Sequence, residues 1–322
     1  MPELPDITVY VERIAERISG STLERVRLAS PFVLRTALPP ISDAHGRRVD
    51  GVSRLGKRIV IALDGGLFLV VHLMISGRFR WLAANAPIPK KLGQAAFDFS
   101  SGTLLLTEAG SKKRASIHLT TSPQELGRGG LELATASREQ FVAAMTRERH
   151  TLKRALTDPT ILSGIGNAYS DEILHRARLS PLLQTPQLDA ERWQRLWQAI
   201  RGVLDEWTDR LRRESGSDFP TQVTAFREGM AVHGRYGLPC PVCNNPVQRI
   251  RYADHETNYC ARCQTDGKLL ADHSLSLLLK KDWPRSLEEL EELRPAVQRT
   301  ADPRFSQKDP AAPGKRTARR RS

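Results

Sequence analysis

The sequence predicts an α+β protein of several domains, with an N-terminal β-sandwich packed on a helix, a helical middle and a C-terminal zinc-finger β-hairpin. Strand-length apolar runs separated by turn residues fill residues 22–120, and amphipathic helical runs fill residues 137–212. All four cysteines lie between residues 240 and 263. In a reducing compartment, such a cluster indicates a metal site rather than disulfides.

A helix is predicted at the start of the chain, because apolar residues recur at helical spacing from Ile7 to Ile18 and Pro5 suits a first turn. An initiator methionine before a small residue is usually trimmed, which gives Pro2 a free secondary amine, a nucleophile toward a sugar aldehyde carbon. Glu3 stands beside it as a proton-transfer group. The positive end of the helix lowers the pKa of such an amine. The alternative is a plain proline-rich helix start.

The β-rich region also carries candidate binding residues. Strands are predicted at residues 58–63, 67–73 and 103–107, separated by Gly, Asp and Ser. The candidate cations lie next to these strands: Lys57, His72, Lys112, Lys113 and Arg114. Cations in such loops suit phosphate binding. The alternatives are a solvated lysine, a structural histidine and a solvated charge run.

The helical region contains a glycine-rich turn. Amphipathic runs predict helices at residues 137–148, 168–178 and 189–213. Gly164 and Gly166 permit close approach of a backbone, and they precede a helix that is predicted to begin near Asn167. The free N–H groups of that helix can bind a phosphate, and Asn167 can both cap the helix and donate to the phosphate. The alternative is a simple helical turn.

The cysteine spacing predicts a structural zinc site. Cys240 and Cys243 form one C-x2-C pair, Cys260 and Cys263 form the other, and sixteen residues separate the pairs. A site filled by four thiolates is closed, so the zinc ion is structural. A β-hairpin is predicted over residues 248–259, and its polar side chains include Arg249, Arg251, His255 and Asn258.

The charge balance predicts a polyanionic partner. The net charge is +13, for which nucleic acid is the first candidate and an anionic membrane surface the second. The sequence shows no transmembrane run and no signal-peptide pattern, so a cytoplasmic, nucleoid-associated protein is expected. One or two helices are expected over residues 275–297. A disordered basic tail from residue 301 would add non-specific DNA affinity.

Four motifs in this order resemble those of the formamidopyrimidine-DNA glycosylase and endonuclease VIII family of base-excision repair enzymes. They are residues 2–5, Lys57 in its loop, residues 164–167 with the following Tyr169 and Glu172, and the four-cysteine finger. The resemblance implies a monomeric, bifunctional DNA glycosylase and AP lyase that acts on damaged double-stranded DNA. It implies a catalytic β-sandwich at 1–125, a helix–two-turn–helix domain at 126–232, the zinc finger at 233–268 and an extension at 269–322.

The resemblance also implies residue roles. Pro2 is similar to the Schiff-base nucleophile of the family, Glu3 to its proton-transfer residue, and Lys57 to the proton donor in β-elimination. Lys153 and Asn167 match positions that clamp the phosphates flanking a flipped lesion. The expected DNA-binding residues are His72, Lys112, Lys113, Arg114, Lys153, Asn167, Arg251 and His255.

Three departures from the family pattern shape the expected specificity. His255 stands where the family usually has an arginine for the second elimination, and histidine is mostly neutral at pH 7, so δ-elimination is predicted to be weak. Ile75 replaces the void-filling methionine, with Met74 beside it, and residues 108–114 lack the Arg-Phe pair of the purine-repair branch. Oxidised pyrimidines, hydantoins and AP sites are therefore candidate substrates on at least equal terms with 8-oxoguanine opposite cytosine.

Two other functions fit part of this pattern. A non-catalytic zinc-finger protein that binds damaged DNA uses the same charge, finger and tail, and an RNA-binding protein is a third interpretation. Pro2, Glu3 and Lys57 favour the enzyme, because binding alone requires no nucleophilic terminus.

Overall fold

The computed structural model describes residues 1–221, 223–224, 226–252, 255–270 and 284–292. The helices are α1 Leu4–Ile18, α2 Arg138–Thr146, α3 Leu152–Thr157, α4 Asn167–Ala177, α5 Ala190–Ser215, α6 Ala261–Thr265 and α7 Leu287–Glu292. The strands are β1 Thr22–Leu28, β2 Arg47–Leu55, β3 Arg58–Leu63, β4 Leu67–His72, β5 Gly77–Leu82, β6 Gly93–Phe99, β7 Gly102–Glu108, β8 Ser116–Thr120, β9 Gln248–Tyr252 and β10 His255–Tyr259. In the described part, no helix is long and apolar enough to span a bilayer.

The first eight strands form the predicted β-sandwich. They pair in the order β5-β7-β6-β1-β2-β3-β4-β8, and β1 meets β2 at only two residue pairs, beginning with Thr22 and Arg48. The sheet divides at this short junction, and inward side chains of both halves share one core with the apolar face of α1. The predicted helix and strands are thus confirmed, because each carries an apolar face that the others bury.

Helices α2 to α5 form the second unit around their own apolar core. The longest, α5, begins where the Asp189 carboxylate accepts the Arg192 N–H at 2.8 Å and ends at Gly216, whose positive φ suits glycine. Leu4 packs against this core from the first unit. The start of α1 therefore lies at the junction of the two units.

The zinc-finger hairpin is confirmed, with β9 and β10 paired antiparallel from Gln248–Tyr259 to Tyr252–His255. Beyond the finger, the Leu269 N–H donates to the Arg285 carbonyl, and Leu287 of α7 packs with Ile250 and Tyr259. The helix α7 falls within the region 275–297 where helices were expected. The rest of that region and the predicted basic tail lie outside the described residues.

Candidate active site and nucleic-acid interface

The first residues of the chain are buried between the two large units. Pro2 and Glu3 are both buried, and the Leu4 N–H donates to the Gly164 carbonyl at 2.9 Å. Burial lowers the pKa of the Met1 amine, and the positive charges of Arg78 and Lys57 lower it further against the opposing effects of Glu3 and Asp6. An amine at this end of the chain therefore has an environment that favours its neutral, nucleophilic form.

The Glu3 carboxylate occupies the N-terminus of α4. It accepts the N–H groups of Gly166 at 2.6 Å, Ala168 at 2.9 Å and Tyr169 at 3.3 Å. These donors are the groups that a helix leaves unpaired at its start. Three hydrogen bonds fix the position of the carboxylate relative to α4, so Glu3 is a preorganised acceptor beside Pro2.

The capping role predicted for Asn167 is wrong. Gly166 is the N-cap residue and has no side chain to cap with, so Glu3 supplies the acceptor from elsewhere in the chain. The Asn167 side-chain amide instead donates to the Glu256 carbonyl on β10 at 2.8 Å. Asn167 thereby joins the start of α4 to the finger hairpin.

The two glycines of the turn are required by close packing. A Cβ on Gly166 would lie 2.5 Å from Glu3 Cδ and 2.8 Å from Lys57 Nζ, and a Cβ on Gly164 would lie 2.7 Å from Leu4 Cδ1. Gly164 also has a φ of +92°, which L side chains rarely adopt. The missing side chains thus allow Glu3 and Lys57 to meet the turn.

Two lysines lie close to the first turn of α4. Burial lowers the pKa of the Lys57 ammonium, Lys153 lowers it further, and Glu3 opposes the shift. The Lys153 ammonium lies 2.8 Å from the Asn167 carbonyl, 2.7 Å from Ser170 Oγ and 2.5 Å from Asp171 Oδ1. These acceptors match the three donors of an ammonium group, so Lys153 is tied to the first turn of α4.

Two carboxylates of α4 bind the segment leading to the finger: Glu172, which the sequence reasoning included in the motif without a role, and Asp171, which it did not select. Glu172 accepts the N–H groups of Ala231 at 2.7 Å, and of Val232 and His233 at 2.9 Å each. Asp171 Oδ2 lies 2.8 Å from His233 Nδ1 and accepts the Asn258 N–H at 3.2 Å. The sequence signal for this link was a pair of adjacent acidic residues within the helix that follows the glycine-rich turn.

The predicted phosphate contacts of the β-sandwich lie at the end of β4 and on the loop after β7. His72 Nδ1 accepts the Met74 N–H at 3.0 Å, and burial lowers the pKa of His72 to about 4 with help from Arg58 and Lys57. His72 is therefore neutral at pH 7, with its proton on Nε2. Lys112, Lys113 and Arg114 are exposed, on a loop whose backbone is held by the buried Glu108 carboxylate.

The turn after β4 presents an apolar side chain to solvent. Met74 has a φ of 54°, in the left-handed region, and Ile75 is 56% exposed. A strained turn that holds an isoleucine out of the core suits contact with a partner. On the finger hairpin, Arg251 lies 3.3 Å from the Glu256 carboxylate. His255 pairs with Tyr252 through the backbone, and its side chain lies outside what is described.

The four cysteines fit a zinc ion. Their sulfur atoms lie within 4.8 Å of one another, with Cys243–Cys260 at 3.4 Å and Cys240–Cys263 at 3.9 Å. Tetrahedral zinc with bonds of about 2.3 Å places its sulfurs about 3.8 Å apart. Buried His175 of α4 lies with Nε2 3.3 Å from Cys240 Sγ, where an N–H donor can support a bound thiolate.

Comparisons with known proteins agree on one protein family. Three family models match: the formamidopyrimidine-DNA glycosylase N-terminal domain at residues 1–112, its H2TH domain at 126–213, and the zinc finger found in FPG and IleRS at 237–265. Formamidopyrimidine-DNA glycosylase of Heliobacterium modesticaldum is 34% identical over 281 residues, which cover 82% of this chain and 100% of that protein. The chain belongs to the formamidopyrimidine-DNA glycosylase family. That membership makes it a base-excision DNA glycosylase and does not favour the alternative of a protein that only binds damaged DNA.

Other relatives and solved structures of the family agree. A formamidopyrimidine-DNA glycosylase of Thermus thermophilus is 32% identical over 281 residues, covering 83% of this chain and 100% of that protein. A crystal structure from the same species matches with a TM-score of 0.67 at 31% identity, over 82% of this chain and 98% of that one. A Lactococcus lactis complex with abasic-site DNA matches with a TM-score of 0.72 at 23% identity, over 82% of this chain and 99% of that one. The Lactococcus match supports the fold alone.

The structure brings part of the predicted site together. Pro2, Glu3, Lys57, Lys153 and Asn167 meet around the first turn of α4, and the finger cysteines converge as the family's zinc site. The basic loop at 112–114 and Arg251 lie on separate elements, and their DNA contacts remain predictions.

Proposed function

We propose that this family member removes damaged bases from double-stranded DNA through the amine of Pro2 and then cleaves the strand as an AP lyase. The observation that carries the proposal is the burial of Pro2 and Glu3 at the N-terminus of α4, beside Lys57. The family membership supports the substrate class, and the net charge of +13 supports a DNA partner.

Base removal begins when the nucleotide is flipped out of the stack. The neutral Pro2 amine, free after removal of Met1, forms a bond to C1′, and the bond from C1′ to the damaged base breaks with its electron pair leaving on the base. Opening of the sugar ring, with proton transfer at Glu3, leaves an iminium between Pro2 and C1′. The three N–H groups that hold Glu3 keep its carboxylate within reach of this centre.

Strand cleavage follows from the iminium. The positive nitrogen acidifies the C2′ hydrogen, so loss of that proton expels the 3′ phosphate by β-elimination. Lys57, with its lowered pKa, serves proton transfer in this step. Because His255 replaces an arginine on the hairpin, a second elimination is predicted to be weak, and the product keeps a 3′ unsaturated sugar.

Lesion preference is proposed to be broad. The exposed Ile75 on its strained turn is the candidate for filling the space left by the flipped base. The loop after β7 is basic and lacks an aromatic residue, so oxidised pyrimidines, hydantoins and AP sites are proposed substrates together with oxidised purines.

A cleavage assay tests both activities. Duplexes that contain an AP site or an oxidised base are incubated with wild-type protein and with Lys57→Met, and products are separated on a denaturing gel. We expect nicked AP-site DNA with a 3′ unsaturated sugar, and slower nicking by the variant. Intact DNA in every wild-type reaction would contradict the proposed function, and a dominant 3′-phosphate product would contradict the weak second elimination.

A further inference from the structure

The outer face of strands β3, β4 and β8 carries one arginine and two histidines side by side. Arg58 on β3 lies directly opposite His72 on β4, and His118 on β8 pairs with Val70, two residues before His72. Side chains alternate along a strand, so Arg58, His72 and His118 share the face opposite to the core. Their neighbour Ile117 belongs to the core.

Two arginines extend this face. The Arg35 N–H donates to the Ile117 carbonyl at 2.8 Å, which places Arg35 beside His118. Arg128 follows Gly127, which packs near Leu55 at the end of β2, and its charge acts on Arg58. We name the set Arg35, Arg58, His72, His118 and Arg128 the cationic row. The row reaches the active site, since Arg58 directly follows Lys57.

The cationic row has no acidic partner in the described part of the chain. The nearby Glu132 carboxylate is occupied by Arg54 at 2.7 Å and by Ser163 Oγ at 2.5 Å. Among the described residues, Arg58 Nε and His118 Nδ1 are buried without a hydrogen-bond partner. Buried polar atoms are nearly always paired in folded proteins, so the described part of the chain leaves this row without the internal partners that usually satisfy such groups.

The positive charges of the row are those of its arginines, and they disfavour further positive charge beside them. Burial lowers the pKa of Arg58, with Arg128 adding to the shift, and burial lowers the pKa of His118, with Arg58 and Arg35 adding to it. Like charges held together favour the binding of an anion, because the anion relieves their repulsion. The neutral His72 contributes a donor at Nε2, since Nδ1 is an acceptor from Met74.

We propose that the cationic row binds successive backbone phosphates of the DNA next to the lesion, which rests on the proposed function of this chain. The row crosses three strands, a distance of about 10 Å, and exceeds what one small anion can contact. Because the row begins beside Lys57, we expect it to bind the DNA strand that runs out of the active site. These contacts lie outside the residues that the sequence predicted for DNA binding, apart from His72.

Binding measurements on Arg58→Gln and Arg128→Gln test the proposal. Affinity for a duplex with a reduced abasic site is measured by fluorescence anisotropy over a range of salt concentrations. We expect each variant to bind roughly tenfold more weakly at about 0.1 M salt, and to lower the slope of log affinity against log salt by about 1. Arg48→Gln is the control, because Arg48 is exposed, faces Asp50 and lies at the opposite end of β2 from Lys57.

A second arm locates the contact. Single methylphosphonate linkages, which remove the charge of one phosphate, are placed in turn around the abasic site. The phosphate bound by Arg58 is the one whose replacement lowers the DNA affinity of the wild type but causes no additional loss of affinity in Arg58→Gln. Melting temperatures check that the variants are folded. If Arg58→Gln is unstable, Arg128→Gln provides the test, because Arg128 is exposed. Affinity and salt slope at wild-type values in both variants would overturn the proposal.

A third arm separates DNA from a free anion. Inorganic phosphate is titrated into the protein by calorimetry, and phosphate binding that disappears in the variants while their DNA affinity is unchanged would also overturn the proposal. Wild-type strand cleavage is measured in parallel. Absence of strand cleavage by the wild-type protein would contradict the proposed catalytic function. The proposal for the row would still be tested by the binding measurements.

Discussion

At the scale of single residues, the candidate site depends on a few close contacts around the first turn of α4. Glu3 accepts three backbone N–H groups there, and Gly166 leaves the space in which Glu3 and Lys57 approach. Catalytic groups lose much of their effect when they move by about 1 Å. Small changes at these contacts should therefore affect the reaction more than the stability of the fold.

Gly166→Ala is expected to slow single-turnover cleavage on the order of 100-fold, because its Cβ would lie 2.5 Å from Glu3 Cδ. Gly202→Ala is the matched control, since its Cβ meets only Arg176 Nη1 at 3.6 Å. An alanine inside α5 should retain activity and add about 0.5–1 kcal/mol to the free energy of unfolding. Equal rates for the two variants would show that the space at Gly166 is not needed.

Adduct formation should remain efficient below the ordinary pKa of an α-amine. Burial lowers the pKa of the Met1 amine and of Lys57, and Pro2 is itself buried, so a lowered pKa is expected for the Pro2 amine as well. Only the neutral amine is a nucleophile, so the rate should fall as pH drops through this lowered pKa and should level off above it. Single-turnover rates across pH measure the midpoint. A midpoint at or above the pKa of a free α-amine, about 8, would contradict the lowered pKa.

His175 is expected to stabilise the bound zinc through Cys240. His175→Leu removes the N–H donor at 3.3 Å from Cys240 Sγ, whereas His175→Gln retains one. Loss of such a partner typically costs about 10- to 100-fold in metal affinity. Zinc release to a chromogenic chelator should be faster in the leucine variant and near wild type in the glutamine variant. Identical release from both variants would exclude this role.

At the scale of elements, α4 joins the parts of the molecule. Its N-terminus holds Glu3 of the first unit, Asp171 and Glu172 hold the segment before the finger, and His175 contacts a zinc ligand. The candidate active site and the finger are thus positioned from one short helix of 11 residues.

Glu172→Gln tests this link. A glutamine retains one acceptor and turns an NH2 group toward backbone donors, so roughly 2 kcal/mol of local stability should be lost. Hydrogen exchange should increase at residues 231–234, and DNA affinity should fall. Glu206→Gln is the control, because Glu206 makes an exposed ion pair with Arg176. Unchanged exchange at residues 231–234 would contradict the link.

Local patterns in the sequence predicted most elements. The cysteine spacing predicted the finger and its hairpin, and helical periodicity predicted α1, α4 and α5, because these signals come from residues close in the chain. Asn167 was wrongly predicted to cap α4, since the actual acceptor is Glu3, 163 residues before Gly166. The internal pairing of Lys153 with Asp171 and the cationic row also depend on packing between distant segments.

At the scale of the whole molecule, the net charge of +13 agrees with a DNA partner. The described part of the extension adds a contact that the family's finger model, which ends at residue 265, does not include. There Leu287 packs on Ile250 and Tyr259, at the base of the hairpin. The extension thus braces the finger, which Asn167 ties to the candidate active site.

The most direct test of the account is to locate the covalent adduct. Wild-type protein is treated with borohydride on an AP-site duplex and digested with trypsin and nuclease, and the modified peptide is sequenced by mass spectrometry. The account predicts a sugar remnant on the nitrogen of Pro2, in the peptide that ends at Arg13. An adduct on Lys57, or none while Met1 is absent and DNA is bound, would contradict it.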